Sequence, residues 1–159
     1  MNSTSGVATS HVKLTFESRL ANIGMVGAVT RILSSESGFG IIPSAEIELA
    51  VIEAVTNVIK YGLAALPTAE VELSFCCFEQ YFVIEIVDLG IPIPPHILAA
   101  ADGSVFNFSV DDMDAWPTSG MGISLIKAVM DQVEYSSVNG RNSLRLIKLF
   151  EQIDASEKN

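Results

Sequence analysis

The chain has 159 residues, enough for one domain that buries about two-thirds of its unfolded surface, and its 49% apolar and 18% charged content excludes a disordered chain. Nine Lys and Arg against nineteen Asp and Glu leave a net charge of −10, which argues against nucleic acid as a partner, because phosphate binding needs a basic surface. No apolar run reaches the roughly 18 residues of a membrane span and the N-terminus lacks a basic-then-apolar signal pattern, so a cytoplasmic chain without membrane contact is expected.

Residues 1–9 are small and polar and read, with 151–159, as flexible tails around a domain at 10–150. His11 to Glu17 alternates Val12, Leu14 and Phe16 with Lys13, Thr15 and Glu17, the period of a strand with one buried face. From Arg19 to about Ser35 the period becomes helical, with Leu20, Ile23, Val26, Thr30 and Leu33 on one side. Gly24 and Gly27 each cost this helix about 1 kcal/mol relative to alanine. They are either tolerated or permit a close helix or subunit contact. Ser37-Gly-Phe-Gly is a turn, and Pro43-Ser44 is a helix-start signal. The helix that follows ends near Gly62. It gathers Ile47, Val51, Ala54, Val55 and Val58 on one side and Glu46, Glu53, Asn57 and Lys60 in a narrow stripe on the other. A carboxylate, an amide and an ammonium in one line suit a site for a metal ion and phosphate. An ordinary wet face of an amphipathic helix would look the same.

Glu70–Cys77 and Tyr81–Asp88 are β-rich runs joined by Phe78-Glu-Gln, a predicted hairpin. Cys76 and Cys77 point to opposite faces of the first run and read as reduced core residues. The second run is apolar almost throughout, as a central strand is. It stops at Asp88-Leu-Gly-Ile-Pro-Ile-Pro-Pro95, which no helix or strand can continue through. His96–Ala101 predicts a short helix. Asp102 to Ser119 has no period and suggests a mobile segment that closes over a ligand. Gly120-Met-Gly122 opens a helix predicted to run to about Gln132. Val133–Ser137 and Ser143–Phe150 flank Asn139-Gly140, a strong hairpin signal. There is no Gly-x-x-x-x-Gly-Lys-Ser/Thr loop, and His11 and His96 offer no catalytic triad.

Three motifs stand in a fixed order: Glu53-Ala-Val-Thr-Asn57, Asp88-Leu-Gly90 and Ser119-Gly-Met-Gly-Ile-Ser-Leu-Ile-Lys-Ala-Val-Met-Asp131. Over about residues 10–150 the chain resembles the ATP-binding fold shared by gyrase, Hsp90 chaperones, histidine kinases and MutL, the GHKL superfamily. Within it the chain is similar to the RsbW-type anti-sigma-factor serine/threonine kinases, the motifs matching their N-box and two glycine boxes. The resemblance implies an α+β fold, a two-layer α/β sandwich of the Bergerat type, with a mixed, mostly antiparallel sheet and helices on one face. It implies ATP and Mg²⁺ as cofactors, with Asn57 offering its amide oxygen to the ion and Glu53 taking the proton of an attacking hydroxyl. Asp88 would accept a hydrogen bond from the adenine amino group, and Gly90 would let the backbone approach the base. Ser119, Gly120, Met121, Gly122 and Ile123 would form the phosphate-side box, its amides free at a helix N-terminus. Lys60 is a candidate phosphate contact. Tyr61 stands where a histidine is often found, and Ser143 where relatives often carry a threonine near the adenine.

The implied activity is an ATP-dependent serine/threonine kinase of the partner-switching kind. It would phosphorylate a STAS-domain anti-anti-sigma protein and sequester a sigma factor or another target, with a homodimer possible in such relatives. Pro92, in place of a second glycine, and Thr118, in place of an arginine, depart from the pattern and favour an alternative. That alternative is a nucleotide-gated module that captures its partner without phosphorylating it. An isolated histidine-kinase-like ATPase domain is a third reading. Phe106, Phe108 and the Gly24/Gly27 helix could each belong to a partner surface.

Overall fold

A computed structural model describes residues 6–66, 68–100 and 121–151. The expectations for the 102–119 segment, including Phe106, Phe108, Thr118 and Ser119, and for Gly120, lie outside the described residues, as does most of both tails. In chain order the elements are β1 (Ser10–Glu17), a 3₁₀ turn (Leu20–Asn22), α1 (Ile23–Glu36), α2 (Ile41–Asn57) and a π-helical turn (Val58–Gly62). Then come β2 (Glu70–Cys77), β3 (Tyr81–Asp88), α3 (Pro95–Ala100), α4 (Met121–Val129), β4 (Gln132–Val138) and β5 (Arg141–Leu149).

The strands form one sheet in the order β1-β2-β3-β5-β4, with all four pairings antiparallel. β3 lies at its centre, which explains the near-continuous apolar run of that strand. Val71, Leu73, Phe75 and Cys77 of β2, Phe82, Ile84 and Ile86 of β3, and Leu144 and Leu146 of β5 share one face by alternation. They join Val26 of α1, Ile47, Val51, Ala54 and Val55 of α2, and Ile126 of α4 in a single core. The helices therefore cover that face. The opposite face carries Lys13, Glu72, Glu85, Arg145 and Glu134, with ion pairs Lys13–Glu72 at 3.0 Å and Arg145–Glu134 at 2.7 Å. Cys76 sits half-buried on this polar face while Cys77 is in the core, so only one of the two thiols, both free, is a core residue.

Local chemistry accounts for the element ends. Asn139 and Gly140 have φ of 52° and 77°, both positive, as a two-residue type I′ hairpin turn requires. β1 is an edge strand, with Leu14 and Phe16 half-buried and Val12 still 40% exposed. Thr9, placed in the polar tail by its sequence, donates its N–H to the Cys77 carbonyl at 2.8 Å and prolongs that ladder. α2 starts earlier than Pro43-Ser44: Gly40 is its N-cap, without a side-chain cap. Pro43 is tolerated because N–H groups of a first turn have no helical partner to lose. Ser44 is buried and donates its hydroxyl back to the Phe39 carbonyl at 3.3 Å, so it is no cap. α4 ends before Gln132 because Asp131 turns into the sheet, its N–H on the Ile147 carbonyl and its Oδ2 accepting from the Leu149 N–H at 2.7 Å.

The two glycines of α1 separate cleanly. A Cβ on Gly27 would lie 2.7 Å from Ile52 Cδ1, so this glycine lets α1 and α2 approach closely. Gly24 faces open space. Among the described residues no helix is long and apolar enough to cross a membrane.

Candidate functional site

β3 ends in a polar knot set into the apolar core. Asp88, only 7% exposed, accepts two hydrogen bonds on Oδ1, from the Gly90 N–H at 2.8 Å and from Asn142 Nδ2 at 2.9 Å. Asn142, directly opposite on β5, also donates to the Gly90 carbonyl at 2.9 Å and accepts from the Ser137 hydroxyl at 2.7 Å. Every polar atom of the Asn142 amide is thereby used. Among the described residues no donor reaches Asp88 Oδ2.

Beside this knot lies a cavity of about 270 Å³, just under the roughly 300 Å³ where ordinary ligand pockets begin. Its polar lining includes Asp88, Asn57, Tyr135 and His96, and the rest comes from Val58, Tyr61 and Gly62 below α2, the 91–94 segment, Ile97, Ile123 and Leu144. The 91–94 wall is pinned at both ends. The Ile91 N–H donates to the Gly62 carbonyl at 2.9 Å, and the Ile93 N–H donates to the Tyr135 hydroxyl oxygen at 2.8 Å. Burial pushes the Tyr135 hydroxyl above its usual range, the Ile93 N–H lowers it, and the nearby Asp88 charge raises it again.

The helix stripe is partly reorganised. Glu53 and Asn57 are half-buried and converge on the first turn of α4: a Cβ on Gly122 would lie 2.9 Å from Asn57 Nδ2 and 3.0 Å from Glu53 Oε2. A side chain at Gly122 would therefore displace the ends of those two side chains. Lys60 leaves the stripe. The turn after Asn57 is π-helical, closed by the Leu63 N–H on the Val58 carbonyl at 2.8 Å, and so wider than an α turn. Tyr61 and Gly62 come round to the cavity, while Lys60 is exposed and lines none of it. Ile123 is 5% exposed and lines the cavity. Met121 begins α4.

Two expectations change around Asp88. Gly90 is dictated by the fold itself: a Cβ there would fall 2.2 Å from the Gly62 carbonyl oxygen, so its bareness serves the α2 terminus. Ser143 points to the polar face of the sheet and donates to Glu85, away from the cavity. A shift of one residue along a strand reverses its face, and the residue facing Asp88 is Asn142. The alternation of Leu144 and Leu146 against Arg145 marks Asn142 as inward-facing, a signal present in the sequence. Tyr135 and the 91–97 wall, His96 included, had no such motif to announce them.

Among the described residues no group of three or more His, Cys, Asp or Glu side chains could hold a metal ion. No Lys or Arg among the described residues lines the cavity, and Lys127 of α4 donates to the Leu98 carbonyl of α3 at 2.7 Å.

Comparison with known proteins supplies the frame for this geometry. No curated protein sequence matches the chain. Among solved structures, the RsbU and RsbW domains of Rv1364c from Mycobacterium tuberculosis align with a TM-score of 0.58 at 16% identity, over 89% of this chain and 33% of that one. This chain therefore spans about a third of that protein's length. The SiaB–SiaC complex from Pseudomonas aeruginosa aligns with a TM-score of 0.59 at 13% identity, over 86% of this chain and 88% of that one. At these identities the likeness is one of fold. The family model described as the histidine kinase-like ATPase domain matches residues 16–148. Because that match runs from the end of β1 to the end of β5 and takes in every element around the cavity, the chain belongs to the histidine kinase-like ATPase domain family.

Proposed function

We propose that the chain is an ATP-dependent protein serine/threonine kinase that regulates by switching partners, phosphorylating a STAS-domain antagonist and sequestering a sigma factor or a comparable target. The observation that carries this reading is that residues of all three motifs, Asn57, Asp88 and Ile123, line one cavity, with Glu53 beside Asn57 at the first turn of α4. Asp88 Oδ2 would take the adenine amino group. The α4 N-terminus would face the phosphates, by geometry and dipole. A Mg²⁺ ion is reasonable here because it takes oxygen ligands and is commonly held by one or two protein groups plus substrate phosphates. Asn57 would hold it, and the ion would neutralise phosphate charge. Glu53 would accept the proton of the attacking hydroxyl, a role that contributes about 10²–10⁴ in rate. Transfer itself needs little covalent chemistry from the protein. The SiaB neighbour was crystallised with SiaC, and the RsbW domain shares a chain with RsbU, which supports a role beside a protein partner.

A second reading is favoured by one observation: no Lys or Arg among the described residues lines the cavity. Without such a cation the transferred phosphoryl charge would have no side-chain stabiliser beside the metal ion, and the chain would capture its partner in a nucleotide-dependent way only.

The deciding experiment mixes the protein, Mg²⁺ and labelled ATP with a candidate STAS-domain protein, with Glu53→Ala as control. Label on a serine or threonine of the partner, lost in the variant, supports the kinase. Binding of both ATP and partner with no label supports the capture module. Calorimetry of Asn57→Ala and Asp88→Asn tests the site: unchanged ATP affinity in either would remove that residue from it.

A further inference from the structure

We infer that the Tyr135 hydroxyl is a second reader of the base, donating its hydrogen bond to a ring nitrogen of the purine whose amino group Asp88 holds. The inference rests on the nucleotide reading above and names a specificity residue for it. Tyr135 lies on β4 opposite Leu144, so its ring and Leu144 share the inward face, and both line the cavity. A tyrosine hydroxyl is at once donor and acceptor. Here the oxygen accepts from the Ile93 N–H at 2.8 Å, which fixes its position in the cavity wall. Among the described residues no acceptor takes its hydrogen. With the Ile93 N–H approaching from the wall, the O–H is directed into the cavity.

Asn142 cannot do this work, although it sits against Asp88. Both its N–H groups are used on Asp88 and on the Gly90 carbonyl, and its oxygen accepts from Ser137. The cavity therefore presents a carboxylate acceptor on one strand and a hydroxyl donor two strands away, with Leu144 between them. Adenine, with an exocyclic amino donor and unprotonated ring nitrogens, matches that pair. Guanine placed the same way would set its carbonyl oxygen against the Asp88 carboxylate. The hydroxyl is held protonated at neutral pH, as burial and the Asp88 charge both raise its proton affinity.

The test is calorimetry of ATP and of 1-deaza-, 3-deaza- and 7-deaza-ATP on the wild type and on Tyr135→Phe, each checked for a cooperative melt. The variant should bind ATP roughly three- to tenfold more weakly, the range of one lost hydrogen bond. One deaza analogue should lose a similar factor on the wild type, and the variant should bind that analogue as well as it binds ATP. Equal loss for ATP and every analogue in Tyr135→Phe would mean the residue only holds Ile93, and overturns the inference. So would a wild type that binds all three analogues as tightly as ATP, a result independent of any variant. A wild type that binds no ATP at all fails the nucleotide reading itself, and this inference with it.

Discussion

Asn142 and Asp88 face each other across β5 and β3, and the Asn142 amide donates to the buried carboxylate at 2.9 Å while also holding the Gly90 carbonyl. One neutral side chain thus braces the acceptor and the turn that follows it. Replacing it with alanine removes one of the two donors to the buried Asp88 oxygen and the side-chain donor to the Gly90 carbonyl. Asn142→Ala should lose about 1–3 kcal/mol of stability in a urea titration. Asn142→Asp should be worse near neutral pH, because it sets two carboxylates side by side, and should recover relative to the alanine variant as the pH is lowered and one of them protonates.

Gly90 and Gly24 form a contrasting pair. A Cβ on Gly90 would meet the Gly62 carbonyl oxygen at 2.2 Å and the Gly62 carbonyl carbon at 2.6 Å, backbone atoms that cannot swing aside. Gly90→Ala should cost about 2–3 kcal/mol or more, seen as a lower melting temperature. Gly24 has nothing within 4 Å, so Gly24→Ala should gain up to about 1 kcal/mol from helix propensity.

Gly122→Ala should leave folding nearly unchanged yet impair binding. The atoms in the way, Asn57 Nδ2 and Glu53 Oε2, are ends of flexible side chains that can move, and alanine favours the helix. Moving them displaces both groups proposed to act on the phosphates. ATP affinity in the presence of Mg²⁺ should fall by about tenfold or more, with the melting temperature within a few degrees of wild type, as calorimetry and thermal denaturation would show.

Cys76 should set an alkaline limit. Burial first and the Glu85 charge second push its thiol above the ordinary 9.0, against smaller opposing effects of Arg145 and Lys13. Below 9.0 the folded and unfolded chains both keep the proton, and the shift costs nothing. As pH rises past that value the unfolded chain ionises while the folded one does not, so stability falls until the raised folded value is passed. Between about pH 7.5 and about pH 10, Cys76→Ser should lose less melting temperature than wild type.

Much of this was legible from residue order. The β2–β3 hairpin, the central place of β3 and the Asn139-Gly140 turn follow from alternation and turn chemistry, which are local. The three motifs could be read because each carries its chemistry in a few adjacent residues. What escaped was decided by phase and by distant backbone. The π-turn after Asn57 is a change of helical pitch that no residue type announces, and it keeps Tyr61 at the cavity while turning Lys60 away. Ser143 was one residue out on a strand, and the period of two turned that into the wrong face. Ser44 looks like a cap until the helix is seen to begin at Ile41. The need for Gly90 comes from Gly62, which lies far off in the chain.

The Gly62 carbonyl accepts the Ile91 N–H and lies hard against Gly90, so the foot of α2 is riveted to the wall of the cavity. At its other flank α2 meshes with α1 through the notch at Gly27. A push on the outer surface of this helical pair has no slack to absorb it, because close-packed interiors transmit strain. α2 is therefore a stiff lever: a protein that tilted it from outside would bend the rim of the cavity, and a base bound as proposed would resist the tilt by the same free energy.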